Sequence, residues 1–225
     1  MPQPFFSTAR GLLLSPREMF SQLRTESLGS AFRYLLLTLA IFVIFTAISR
    51  IMLLARIYTP QDSIGIIAIL VAAGTIEAIM NFIYGTFGAL MVGIWLHFWS
   101  FLLGARRGIG ETIRAAFYAF TPVGLFGWIP LFAGTLFFGG FSLFGIEKSP
   151  GFIRYSTLAI IGTEILLVAW AFLIATYGIA GFQQIPENRA KVAGLMSFLI
   201  PLGLGIAGII YLFSAYPFLW TLFFP

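Results

Sequence analysis

After about thirty residues of mixed character, apolar positions run almost without interruption to the end of the chain, and charge collects between the runs. The runs cover 34–55, 64–103, 113–138, 155–182 and 192–216. One bilayer crossing takes about 20 residues of helix, so four of the runs suit single spans. The stretch from Ile64 to Leu103 is twice that length. It reads either as two spans turning at Glu77 to Asn81, or as a short interfacial or re-entrant helix at 64–79 followed by a span at 80–103.

The first 33 residues form a separate N-terminal segment. Arg10, Arg17, Arg24 and Arg33 are spread along it with acids between them, unlike the compact basic start of a cleavable signal, so the segment is expected to be retained. Ser15-Pro16-Arg17-Glu18 has capping-box spacing, with proline where its missing N–H costs nothing, and predicts a helix from Pro16. Met19, Phe20, Leu23 and Ser27 share one face of that helix. The pattern suits an amphipathic helix lying at the headgroup level, with a soluble helix as the alternative. Residues 34–225 then make one transmembrane domain.

Positive charge decides between five spans and six. With five, one side holds Arg10, Arg17, Arg24, Arg33, Arg106, Arg107, Arg114, Arg189 and Lys191, and the other holds Arg50, Arg56, Lys148 and Arg154, nine against four. With six, the division is six against seven. Five spans follow, with the N-terminus cytoplasmic and the C-terminus outside, in the plasma membrane. The loop at 56–63 carries a helix stop at Thr59-Pro60, and the uncharged tail 217–225 offers Trp220 as an interfacial anchor.

Composition narrows the chemistry. Of 225 residues 60% are apolar and 9% charged, the mean hydropathy is +0.98, and the net charge is +5. Too few charged residues remain to clothe a soluble domain. There is no Cys, one His and one Asp. A two-His zinc protease motif and a paired-Asp intramembrane protease therefore cannot be built, and no phosphate-binding loop occurs. A non-enzymatic protein without cofactor or metal is expected. The basic residues never interleave with aromatics in a run, which argues against nucleic acid. The expected partners are the lipid bilayer and other membrane proteins, a second copy of the chain among them.

Candidate functional positions are few. The third span carries Tyr118, Thr121, Pro122, Gly124, Gly127 and Pro130. Pro122 leaves the Tyr118 carbonyl without its helical donor, and Pro130 does the same to Phe126. A broken helix is expected, its freed groups met within the bundle by hydroxyls such as those of Tyr118 and Thr121. Whether the break is a functional hinge or a structural kink stays open. Glu77, Asn81, His97 and Glu164 lie at or near membrane depth, where ionisable groups point to function. Glu164, about ten residues into the fourth span, is the strongest candidate. Its alternative is a protonated, hydrogen-bonded carboxyl. Glu77 and Asn81, four apart, share a helical face. His97, amid Trp95, Phe98 and Trp99, reads as a hydrogen-bonded interfacial imidazole. Gly203, Gly205 and Gly208 spell a dinucleotide fingerprint inside a span, without the strand or acidic residue such a site needs. They read as helix-packing positions, as do Gly85, Gly88 and Gly93.

The order of Ser15-Pro16 with Phe20, the short loop from Gly104 to Gly110-Glu111-Thr112, and Tyr118 with Thr121-Pro122 then Ile129-Pro130 resembles the YIP domain family of integral membrane proteins. The resemblance covers nearly the whole chain. It implies an all-α polytopic membrane protein, a five-span helical bundle with a cytoplasmic N-terminus, and a role in vesicle traffic with small GTPase partners in eukaryotes. The chain lacks the Asp-Leu-Tyr-Gly-Pro motif of those members and is similar to the prokaryotic ones. Two readings stand: a membrane scaffold that shapes the bilayer or recruits a partner, and a channel or transporter using the broken third span with Glu164 and Glu77. A transporter commonly shows an internal repeat, and none is obvious here.

Overall fold

The computed structural model describes residues 4–57, 63–130, 132–134 and 150–215. The Thr59-Pro60 stop, Lys148 and the Trp220 tail lie outside the described residues. Two short helices come first, α1 (Phe5–Leu14) and α2 (Pro16–Gln22), closed by a 3-10 turn at Leu23–Thr25. The bundle follows: α3 (Leu28–Ile57), α4 (Ser63–Leu102), α5 (Ile109–Ala119), α6 (Thr121–Phe126), α7 (Pro150–Gln183) and α8 (Glu187–Ala215). No strand occurs among the described residues. Five segments are long and apolar enough to cross a membrane: Leu28–Met52, Ala68–Leu102, Ile109–Gly134, Leu158–Gln183 and Glu187–Gly208. The protein is an all-α polytopic bundle, and its third span is broken between α5 and α6.

The second apolar run corrects the expectation of a separate helix at 64–79. It is one helix of 40 residues, about 60 Å long at 1.5 Å per residue, with no turn at Glu77 to Asn81. Nothing between Ile64 and Leu102 breaks a helix, since the run contains no proline and its polar residues fit a helical backbone. The helix is about twice as long as the hydrocarbon core is thick. Its end is well defined. The Ala105 N–H donates to the Ser100 carbonyl at 2.9 Å and the Gly104 N–H to Phe101 at 3.1 Å, with Gly104 at φ +103°. This double closure around a left-handed glycine satisfies the last carbonyls and turns the chain into α5.

The segments that the charge count put on one side do meet at one end of the bundle. There Arg17 faces Glu187 at 3.8 Å, Arg189 donates to the Leu103 carbonyl at 3.4 Å, and the Arg107 N–H donates to Gln183 at 3.0 Å. At the far end Arg50 of α3 pairs with Glu77 of α4 at 3.2 Å. Arg33 and Arg50, seventeen residues apart on α3, are separated by about 25 Å along the helix, close to a hydrocarbon core of about 30 Å.

The N-terminal segment departs most from expectation. Its helix begins at Pro16, but Ser15 makes no side-chain cap bond, so the capping box does not form. Residues 5–14 add a helix that the sequence reading did not anticipate. The two helices form a hairpin in close contact, where a Cβ on Gly11 would overlap Met19. Met19, Phe20 and Leu23 face the bundle, 5%, 1% and 1% exposed. The apolar face expected on the bilayer surface is thus part of the protein core.

The glycines divide. A Cβ on Gly93 would lie 2.9 Å from the Cα of Ile113, so α4 and α5 approach backbone to backbone there, and one on Gly85 would meet Leu39 of α3 at 2.7 Å. At Gly88, Gly203, Gly205 and Gly208 it would meet nothing within 4 Å among the described residues. Among the described residues, Gly85 and Gly93 are thus the glycines of this set that make a close helix approach. Gly93→Ala should lower stability in detergent by about 1–3 kcal/mol through overpacking. Gly88→Ala should be neutral or gain up to about 1 kcal/mol from helix propensity. Thermal unfolding of both variants checks the contrast.

Candidate functional site

Pro122 lies in the first turn of α6, which begins at Thr121 directly after the Phe120 cap, and the carbonyl it frees is met as the sequence predicts. Thr121 Oγ1 donates to the Tyr118 carbonyl, and Tyr34 of α3 lies 2.9 Å from the same Thr121 hydroxyl. Because Thr121 has one proton and gives it to the carbonyl, the Tyr34 hydroxyl donates. Tyr34 in turn packs on Tyr118, with ring centroids 5.1 Å apart. Pro122 is buried next to Thr121 in this cluster, and Pro130, beyond the end of α6, is buried as well.

The hairpin closes over the break. Phe5 of α1 touches Tyr34 at 5.1 Å, and Phe20 of α2 stands edge-on to Tyr118 at 6.3 Å and to Phe182 of α7 at 5.4 Å. Gly178 makes room for Phe20, since a Cβ there would lie 2.9 Å from its ring. Arg114 of α5, 8% exposed, fixes the turn behind the hairpin. It donates to the Glu26 carbonyl at 2.6 Å and the Arg24 carbonyl at 3.3 Å, pairs with Glu111 at 2.8 Å, and lies 3.9 Å above the Phe182 ring. The two carbonyls belong to the end of the 3-10 turn, outside any helical ladder, so the guanidinium supplies donors the backbone lacks.

A second polar cluster ties α4, α5 and α7 together. Gln183 donates to the Gly108 carbonyl at 2.7 Å and to Thr112 Oγ1 at 3.0 Å, and His97 Nδ1 lies 3.1 Å from the same hydroxyl. His97 is therefore a hydrogen-bonded residue. Among the described residues no group of three His, Cys, Asp or Glu could hold a metal ion.

Glu164 stands apart from both clusters. It opens on a cavity of about 480 Å³ between α4, α7 and α8, with Met91, Val168, Phe172 and Phe198 on the wall. Its carboxyl has no hydrogen-bond or ion-pair partner among the described residues. Glu77 is not on that wall: it pairs with Arg50, and Asn81 does not join it. The proposed polar path from Glu164 to Glu77 is therefore not assembled. Pro201 inside α8 frees the Ser197 carbonyl, which accepts from Trp95 Nε1 at 3.1 Å. That bond closes one edge of the cavity.

Sequence reasoning found Tyr118, Thr121 and Pro122, and missed Tyr34, Arg114, Gln183 and Pro201. For Arg114 a signal existed: Glu111 stands three residues before it, on the same helical face. Comparison with protein-family models, curated proteins and solved structures finds no match to this chain.

Proposed function

We propose that the chain is a non-enzymatic membrane scaffold of YIP type that presents its N-terminal hairpin to a membrane-embedded partner. One observation carries this reading. The hairpin is clamped to the bundle through Phe20 and Arg114, while its outer face leaves Phe6 79% and Leu14 71% exposed. Apolar side chains held rigidly outward beside a broken span form a surface that calls for an apolar counterpart. The order of motifs around Tyr118 and Thr121-Pro122 supports the YIP type and, with it, a prokaryotic-type member acting without the GTPase motif. The basic residues at the hairpin end support a cytoplasmic N-terminus and an outer C-terminus in the plasma membrane.

The test places a photo-crosslinking residue at position 6 or 14 in native membranes. A saturable protein adduct of defined mass at both positions, absent when the residue stands at the buried position 12, is the expected result. Adducts with lipid alone would overturn partner recruitment. In vesicles, an ion flux that Glu164→Gln abolishes would replace the scaffold by a transporter.

A further inference from the structure

We propose that the cavity between α1 and the start of α3 binds a phospholipid headgroup carrying both a phosphate and a primary amine, the phosphoethanolamine group. The cavity has a volume of about 370 Å³ and is lined by Glu26, Ser27, Ser30, Arg33, Tyr34 and Tyr118, with Phe5 and Leu37 at its apolar side. Arg33 and Glu26 make no ion pair with each other, nor does either side chain bond to another described residue. Two opposite charges thus flank one cavity without neutralising each other.

Position argues for a lipid. Arg33 lies at the start of the Leu28–Met52 span, where long cationic side chains reach the headgroups. Leu37, one turn deeper on the same face, is 54% exposed and offers the acyl chains a wall. The guanidinium matches a phosphate in two parallel hydrogen bonds, and the hydroxyl pair of Ser30 and Tyr118, bonded to each other, leaves one further donor. The Glu26 carboxylate accepts from an ammonium. It also repels a headgroup that is purely anionic, so the pair selects by rejection as well as by attraction. This inference needs the membrane setting but not the scaffold reading, and an absence of partner adducts at Phe6 leaves it standing.

The experiment uses the full chain, delipidated in detergent, with phosphatidylethanolamine, phosphatidylglycerol and phosphatidylcholine added singly. Native mass spectrometry and thermal shift read the binding. Phosphatidylethanolamine should be retained and should stabilise at about tenfold lower concentration than the other two, the difference one charge-assisted hydrogen bond makes. Arg33→Gln should weaken that binding about tenfold, and Glu26→Gln should remove the preference by raising phosphatidylglycerol binding. Both side chains lie outside the packed core, and Arg10→Gln, an exposed cation outside the cavity, should change nothing. Equal binding of the three lipids, or variants indistinguishable from Arg10→Gln, would overturn the proposal. Free phosphoethanolamine should not displace the lipid at equal concentration; displacement would assign the site to a soluble ligand and overturn the lipid assignment.

Discussion

Arg114→Met should lower the unfolding free energy by about 3 kcal/mol and free the N-terminal hairpin from the bundle, because it removes one partner from a buried set and strands the others. The carbonyls of Arg24 and Glu26 lose their donors, and Glu111 loses its counter-ion. Methionine keeps most of the volume above Phe182, so the loss reports on hydrogen bonds and charge rather than on a void. Arg114→Lys should recover only part of it, since one ammonium on a flexible stem cannot span two carbonyls and a carboxylate in the guanidinium's planar arrangement. Thermal unfolding in detergent measures the stability. Trypsin cleavage at Arg17 and Arg24, both at the exposed side of the hairpin, measures its release. A variant with unchanged melting and unchanged cleavage would show that the latch carries no load.

The spans were legible because lipid makes a simple demand: every backbone group must be bonded within the segment. Apolar runs of the right length therefore announce helices, and the charges between them announce sides. The break was legible for the same reason. Pro122 leaves one carbonyl short, and the hydroxyl beside it was the nearest donor. What pattern could not supply was the partner of a face. Met19, Phe20 and Leu23 fall on one side of a helix whether that side meets lipid headgroups or α7, and a three-and-four spacing looks the same in both cases. Arg114 was read as topology, since a cation near the end of a span commonly extends to the headgroups. Here it turns inward to the end of a 3-10 turn far away in sequence. The length of α4 misled through the thickness rule: 40 apolar residues suggest two elements, yet the run contains no residue that stops a helix. Pro201 went unremarked because its effect depends on Trp95, which lies on another helix.

Those differences converge on one residue. Contacts between spans gain little from the hydrophobic effect, because lipid tails are as apolar as the side chains they would replace. The hairpin end of the bundle is different, for there the alternative to packing is water. Phe20 fills a socket made by Tyr118, Phe182 and the bare backbone of Gly178, and it is 1% exposed. Phe20→Ala should therefore cost about 3–5 kcal/mol, as for a fully buried aromatic. Phe6→Ala, at a position 79% exposed, should stay within about 0.5 kcal/mol. Gly178→Ala tests the socket from the other side. Its Cβ would crowd the Phe20 ring at 2.9 Å and Ala115 at 2.8 Å, and overpacking of this kind costs about 1–3 kcal/mol. In the Phe20→Ala background the first clash disappears and the second remains, so the double variant should lose less than the two single losses added together. Residues in contact typically couple by about 0.5–3 kcal/mol. Strict additivity in that cycle, measured by thermal unfolding, would mean that Phe20 does not occupy the Gly178 socket.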